Sequence, residues 1–195
     1  MIHVDPALEP ASFDARVRMP GLASLKKRKR RPPFEPYWTR ALDDLMKAYS
    51  EICAYSCFRI HPVTGARSAD HFAPKSRDWQ HVYEWLNYRL CCARLNARKN
   101  DFEDVLDPFV IETGWFRLEL VGFQVVPSPE VQPPLRREIQ ATIERLGLDE
   151  FRRERAKDAE QYWAHDVSLR FLRVESPFVA EELRRQGRLN AGDVW

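Results

Sequence analysis

Hydrophobic positions divide the chain into stretches with two different periods. Between residues 37 and 52 apolar side chains recur every three or four positions, which predicts an amphipathic helix. The positions concerned are Trp38, Leu42, Leu45, Met46, Tyr49 and Ile52. The stretch CFRIHPVTGARSADHF instead holds two short strand-like runs around a Pro-Val-Thr-Gly turn. It is therefore predicted to be a β-hairpin, and its second arm ends in Asp70 and His71.

Beyond this hairpin the pattern predicts short strands followed by helices. A short apolar strand over residues 88–92 leads into a helix over 93–106, which stops before Asp107 because Pro108 restricts the residue before it. Residues 114–129 are predicted to contain a strand pair, and the chain is expected to be helical from residue 133 onward. The alternation of short strands with helices predicts an α+β fold in one compact domain.

Two helix ends in the C-terminal part carry recognisable capping residues. One apolar stripe is formed by Ile139, Ile143 and Leu146, and Gly147 directly after it is a plausible C-cap. A later short helix is predicted to begin after Ser176 as N-cap, with Pro177 at its first position.

The charge of the chain is unevenly distributed. The net charge is +2, yet residues 1–100 hold 18 Lys and Arg against 10 Asp and Glu, and residues 101–195 hold 13 against 19. The N-terminal half contains one block of six consecutive basic residues: Lys26, Lys27, Arg28, Lys29, Arg30 and Arg31. Such a block repels itself, so residues 1–36 are predicted to form an extended, proline-containing arm. The arm is interpreted as holding DNA, while a solvated basic face and a nuclear-localisation tract are the alternatives.

The sequence indicates an intracellular protein. It has no run of 18 or more apolar residues, and its first residues do not combine a basic region with an apolar stretch. We therefore expect no membrane partner and a cytoplasmic location. In a reducing compartment the cysteines should be thiols or metal ligands, and not disulfides.

Several polar residues lie at the ends of these predicted strands and in the first turns of the helix that follows them. Asp70 and His71 end a strand, Asn87 opens the next strand, and Asn96 lies in the first turns of the following helix, with Lys99 one turn later. Each residue alone has an ordinary explanation as a surface pair, a cap or a solvated helix position. Their occurrence together, in this order, favours a functional site.

The segments ADHFAPKS and YEWLNYRLCCARLNARKN carry a resemblance to a known family. They resemble the HNH endonuclease superfamily, and more narrowly small bacterial proteins with Asp/Glu-His-Phe-x-Pro-Lys, Trp-x-Asn and Asn-x-x-Lys patterns. That group includes the nuclease subunits of Septu-type anti-phage systems. The resemblance covers roughly residues 50–110. It implies a ββα-metal core within residues 37–110, with residues 111–195 as a strand pair and helical extension packed on it.

The resemblance also implies a role for each matching residue. His71 would be the general base, Asp70 and Asn96 would bind one Mg²⁺ or Mn²⁺, and Asn87 would hold the loop that orients His71. The candidate phosphate contacts are Lys75, Lys99 and, more weakly, Arg98. The implied reaction is hydrolysis of DNA phosphodiester bonds one strand at a time, with RNA as an open alternative substrate.

The cysteines depart from the pattern of zinc-containing relatives. Cys53 and Cys57 are separated by three residues, and Leu95 stands where a knuckle opened by Cys92 would close. Zinc held by these three thiolates with His61 or Cys91 is one interpretation. The spacing favours a second interpretation, in which the cysteines are buried thiols and apolar packing has replaced zinc.

Two other functions remain open from the sequence. One is a nucleic-acid-binding module or partner subunit without catalysis. The other is an interaction protein whose acidic C-terminal part binds a partner such as an ATPase. A double-strand break would need two successive cuts or two copies of the chain, so a dimer is also conceivable.

Overall fold

The computed structural model describes residues 1–27 and 33–195, and it confirms the α+β class. The chain forms two compact units where one domain was expected. We call residues 5–53 and 60–103 the motif unit. We call residues 1–4, 54–59 and 104–195 the C-terminal unit. Residues 1–4 and 54–59 group with the C-terminal part, as in the Val4 to Pro108 hydrogen bond of 2.9 Å, and the expected domain boundaries stay a prediction.

The described residues of the motif unit form three helices, two strands and several single turns. Its regular elements are α1 (Met19–Lys27), α2 (Leu42–Ala48), β1 (Arg67–His71), β2 (Tyr88–Cys92) and α3 (Ala93–Lys99). A turn of π-helix, Asp14–Arg18, precedes α1, and 3₁₀ turns occupy Tyr37–Ala41, Trp79–His81 and Trp85–Asn87.

The N-terminal segment is helical over residues 14–27, where an extended arm was expected. Phe13, Val17 and Leu25 are buried, so one side of the segment forms part of the core of the motif unit. The aromatic ring of Phe13 packs edge-on against Trp85 at 5.5 Å. Burial of these three side chains stabilises the segment, and the basic block begins only at the end of α1.

The basic block lies partly outside the described residues. Lys26 and Lys27 end α1 and are exposed. Arg28, Lys29, Arg30 and Arg31 lie outside the described residues, so their expected contact with DNA stays a prediction.

The helix predicted over residues 37–52 is shorter than its apolar pattern. It consists of the 3₁₀ turn followed by α2, which ends at Ala48. Ser50 and Glu51 have φ values of 50° and 63°, which an α-helix does not accommodate.

The sheet of the motif unit is formed by different segments from those predicted. β1 pairs antiparallel with β2, with His71 opposite Tyr88 and Asp70 opposite Arg89. The predicted hairpin partner, the run before the Pro-Val-Thr-Gly turn, does not pair with β1. Part of that run belongs to the C-terminal unit, where the Arg59 amide donates to the carbonyl of Glu175 at 2.9 Å.

The two strands and the helix after them form a strand-strand-helix unit around the polar residues. Both strands contact α2 and α3, so side chains on both faces of β1 are covered. Neighbouring strand residues point to opposite faces, and Asp70 and His71 are accordingly both buried. α3 ends at Lys99, seven residues earlier than predicted, because Asn100 has a φ of 47°.

The C-terminal unit agrees closely with its sequence pattern. The predicted strand pair is β3 (Phe116–Leu118) and β4 (Val125–Pro127), which are antiparallel. The helices are α4 (Leu135–Leu146), α5 (Arg152–Trp163), α6 (Leu169–Glu175) and α7 (Pro177–Arg185). Gly147 caps α4 in the left-handed conformation at φ 60°, and Ser176 stands at the N-cap of α7, as predicted. In the described part of the chain, no helix has the length and apolarity to cross a membrane.

Candidate functional site

An open cleft of about 420 Å³ lies between the end of β1, the loop after it and α3. Its volume is in the range of small-molecule and active-site pockets. The polar residues that line it are Ser68, Asp70, His71, Lys75, Ser76, Asn96, Asn100 and Asp101. Four residues predicted from the sequence, Asp70, His71, Lys75 and Asn96, are therefore brought together. Three others, Asn87, Arg98 and Lys99, are not among the lining residues.

The imidazole of His71 is held in one tautomer. Its Nε2 lies 2.9 Å from the carbonyl oxygen of Val82. A carbonyl oxygen only accepts hydrogen bonds, so Nε2 carries the proton and Nδ1 carries the lone pair. Nδ1 lies 3.5 Å from Nζ of Lys75, another residue of the cleft. The basic nitrogen of His71 is thus on the side where the cleft residues lie.

His71 is neutral at physiological pH. Its side chain is only 3% exposed, and burial lowers its pKa to about 3. The charges of Lys75 and, to a smaller degree, Lys99 lower the pKa further, while the hydrogen bond to Val82 opposes them. A neutral imidazole is the form that accepts a proton.

Aromatic rings hold the imidazole on two sides. Trp38 packs edge-on against it at 4.8 Å, and Tyr88 does so at 5.0 Å. The hydroxyl of Tyr88 donates to Val82, the same carbonyl that His71 uses, at 2.8 Å. Sequence reasoning missed Trp38 as a site residue, because its only signal was a place in the apolar pattern of residues 37–52.

Lys75 is fixed above the same tryptophan. Its ammonium nitrogen lies 4.7 Å from the centre of the Trp38 ring, within the range of a cation–π interaction. Burial lowers the pKa of Lys75, the charge of Asp70 raises it, and that of Lys99 lowers it. Lys75 therefore presents a partly desolvated cation to the cleft, as a phosphate contact would require.

Lys99 has a different position from the one expected. Its side chain is 1% exposed, and Nζ lies 3.3 Å from Oδ1 of Asp70. Nζ also donates to the carbonyl oxygens of His71 and Phe72 at 3.2 and 3.1 Å. Because the ammonium is buried beneath the end of β1, Lys99 is reassigned from phosphate contact to a residue that positions Asp70 and His71.

Asn87 anchors the loop that follows β1. Its Oδ1 accepts from the amide of Ala73 at 2.7 Å, and its Nδ2 donates to the carbonyls of Ala73 and His81 at 3.1 and 3.0 Å. Its own carbonyl accepts from the amide of Phe72 at 2.9 Å. These bonds join both ends of the loop that carries Lys75, which is the geometry that an orienting residue needs.

Asn96 joins α3 to β1 at the edge of the cleft. Its Nδ2 donates to Oγ of Ser68 at 2.6 Å, which leaves the amide oxygen as its donor atom for a cation. With the carboxylate of Asp70, the cleft offers two hard oxygen ligands, which suit Mg²⁺ or Mn²⁺ with water and phosphate completing the shell. Among residues 1–27 and 33–195, no cluster of three His, Cys, Asp or Glu could hold a metal. The cleft also contains the carboxylate of Asp101 beside these two candidate ligands.

The remaining sequence-predicted residues lie away from the cleft lining. Arg98 is half-buried on α3. Within the motif unit the thiols of Cys53 and Cys92 share a hydrogen bond, which raises the pKa of Cys92, and burial raises the pKa of Cys91. Cys57 belongs to the C-terminal unit. Cys92 is half-buried and the other three cysteines are buried, and the choice between zinc and packing stays a prediction.

Several residues of the cleft gave no signal in the sequence. Ser68, Ser76, Asn100 and Asp101 line it, yet none matches a recognisable spacing. Asp101 adds a second carboxylate to the cleft, and only the end of α3 at Lys99 brings it there.

A scan of the chain against protein-family models gives no match, and a search among curated proteins gives no significant match. What the chain does must therefore follow from the chemistry of the cleft.

Proposed function

We propose that this chain is a metal-dependent endonuclease of the HNH type that hydrolyses phosphodiester bonds in DNA. One observation carries the proposal. A neutral histidine, with Nε2 bonded to a backbone carbonyl and Nδ1 as its basic atom, shares a cleft with two hard oxygen ligands and a lysine. These are the groups that hydrolysis of a phosphodiester needs: a base, a cation site and a phosphate contact.

In the proposed reaction His71 activates the attacking water. Nδ1 accepts a proton from the water as its oxygen bonds to phosphorus, and the bond from phosphorus to the 3′ oxygen breaks. When bound to Asp70 and Asn96, Mg²⁺ or Mn²⁺ supplies charge stabilisation at the phosphate and the departing oxygen. Asn87 keeps the loop in place, and Lys75 pairs with the phosphate.

The low pKa of His71 limits its basicity in the free protein. A base with a pKa of about 3 accepts protons poorly, and burial and the charge of Lys75 cause that low value. A phosphate paired with Lys75 would offset the part of this shift that the lysine causes.

The substrate contacts available to the chain are mainly electrostatic. Lys75 in the cleft and the exposed Lys26 and Lys27 at the end of α1 can pair with phosphates, which gives affinity without sequence recognition. One site of this kind cuts one strand, so the expected product from a circular duplex is a nick. Following the resemblance, we propose that the chain works in bacterial anti-phage defence in the cytoplasm. There the acidic C-terminal part would bind a protein partner such as an ATPase.

Cleavage of supercoiled plasmid tests the proposal. Wild type, His71→Ala and His81→Ala are compared with EDTA, Mg²⁺, Mn²⁺ or Zn²⁺; His81 is an exposed histidine outside the cleft lining and serves as the matched control. We expect nicking with Mg²⁺ or Mn²⁺ in wild type and His81→Ala, and none in EDTA or in His71→Ala. Nicking that persists in His71→Ala would contradict the proposal. Binding of DNA without cleavage under any metal would support the non-catalytic alternative. Preferential cutting of an RNA duplex would make RNA, and not DNA, the substrate.

A further inference from the structure

The carboxylate that would hold the cation already has a positive partner inside the protein. Nζ of Lys99 lies 3.3 Å from Oδ1 of Asp70, and both side chains are at most 2% exposed. The ammonium is kept there by its hydrogen bonds to the carbonyls of His71 and Phe72. Because this charge is buried, salt and water screen it weakly.

Positive groups stand close to the carboxylates of the cleft. Of the described residues that line it, Asp70 and Asp101 carry carboxylates and Lys75 carries an ammonium group. Lys99 beneath Asp70 supplies the second positive charge. For a divalent cation in the cleft, Lys75 and Lys99 therefore offset the attraction of the carboxylates, and the buried ammonium of Lys99 repels it.

A nucleic-acid phosphate supplies the negative charge and the further oxygen ligands that a divalent cation needs in this cleft. A phosphodiester brings one negative charge and oxygen atoms that are ordinary ligands of Mg²⁺. It also pairs with Lys75, so one of the two positive charges no longer opposes the cation.

We propose that the cleft binds its divalent cation weakly on its own and binds it together with a phosphate of the nucleic acid, and that the buried charge of Lys99 sets this dependence. The inference rests on the proposed function, since it concerns the same cation site. Lys99 acts here as a positioning residue that never touches the substrate. By reciprocity, the phosphate raises the affinity for the cation by the same factor as the cation raises the affinity for DNA.

Titration with Mn²⁺, followed by the electron paramagnetic resonance signal of the free ion, tests this. The full chain carrying His71→Ala, which cannot cleave, is titrated with and without a short DNA duplex, and the Mn²⁺ bound by the duplex alone is subtracted. The same titration is made after adding Lys99→Gln, or Arg94→Gln as a matched control that removes one positive charge from the same helix outside the cleft lining.

We expect the duplex to lower the Kd for Mn²⁺ at least about tenfold. Lys99→Gln should lower the Kd without DNA by a similar factor and reduce the effect of the duplex, whereas Arg94→Gln should leave both unchanged. Equal Kd values with and without the duplex, or a Lys99→Gln chain that folds and binds Mn²⁺ no more tightly, would overturn the inference. Should Lys99→Gln fail to fold by circular dichroism, the comparison with and without DNA decides alone.

The result of this titration can be distinguished from the result of the nuclease test. The titration measures binding in a chain that does not cut, while the nuclease proposal fails only if metal-dependent nicking is absent or independent of His71. Tight binding of Mn²⁺ without DNA in a chain that nicks DNA would reject the role of Lys99 and leave the nuclease standing.

Discussion

Lowering the pH should destabilise the folded chain through His71, and replacing this histidine should remove that part of the acid sensitivity. The folded protein holds the pKa of His71 at about 3 through burial and the charge of Lys75. In the unfolded chain the same group has a pKa of about 6.5. The unfolded state therefore takes up a proton first as the pH falls, which favours unfolding. The stabilising contribution is complete above pH 6.5 and is lost as the pH falls towards 3.

The size of the effect follows from the difference between the two pKa values. Each pH unit below about 6.5 costs roughly 1.4 kcal/mol of unfolding free energy for as long as the folded state resists protonation. At a pH of about 4.5 the loss is therefore about 3 kcal/mol. Because His71 is 3% exposed, solvent screening does not reduce this value much.

Urea unfolding near neutral pH and near pH 4.5, in EDTA, measures this loss. Wild type is compared with His71→Gln, which cannot titrate, and with His81→Gln, which removes an exposed histidine. Acid effects that the three chains share cancel in the comparison, so a smaller drop in His71→Gln than in His81→Gln is assigned to His71. The drop should be about 3 kcal/mol smaller in His71→Gln than in the other two chains. An equal drop in all three would show that the folded chain does not hold His71 neutral.

Three substitutions test the other parts of the site. Asn87→Ala removes three side-chain hydrogen bonds from the loop after β1 and should lower the free energy of unfolding by about 2–4 kcal/mol in urea; a loss of a few tenths would mean that Asn87 does not anchor the loop. Trp38→Leu should slow nicking at saturating DNA at least about tenfold, because the ring fixes His71 and Lys75, while Trp38→Phe should keep most of the rate. Equal rates in the two Trp38 variants would show that the ring is not needed. Lys75→Met should weaken DNA binding and reduce the salt slope of log Kd by about one in fluorescence anisotropy, and an unchanged slope would remove Lys75 from the interface.

Local signals in the sequence predicted the local structure well. The apolar stripe of α4 ends before Gly147, which adopts the left-handed conformation at φ 60° because glycine has no side chain to clash there. Ser176 and Pro177 begin α7. The strand pair β3–β4 lies in adjacent sequence and was found for the same reason. Each of these features depends on residues a few positions apart, where pattern and backbone preference decide the outcome.

Non-local pairing was harder to predict. β1 pairs with residues 88–92 and not with the preceding run, and nothing in the apolar pattern of β1 distinguishes the two partners. The N-terminal helix did leave a signal, since Phe13, Val17 and Leu25 recur at helical spacing. The basic block that follows them carried more weight in the interpretation.

The sequence predicted that Asp70, His71 and Asn96 lie together, but it did not predict what surrounds them. The order of Asp70, His71 and Asn96 along the chain indicated a shared site, and all three line one cleft. The burial of Lys99 beneath Asp70 and the ring of Trp38 against His71 come from tertiary packing across 29 and 33 positions of sequence, which a motif does not encode.

The initial rate of plasmid nicking at saturating Mg²⁺, with and without added imidazole, tests the central claim most directly. Wild type, His71→Ala and His81→Ala are measured side by side. The rate should fall about 10²- to 10⁴-fold in His71→Ala alone, and imidazole should restore part of it by replacing the missing base. A His71→Ala chain that nicks at the wild-type rate would contradict the assignment of His71 as the general base, and with it the proposed nuclease site.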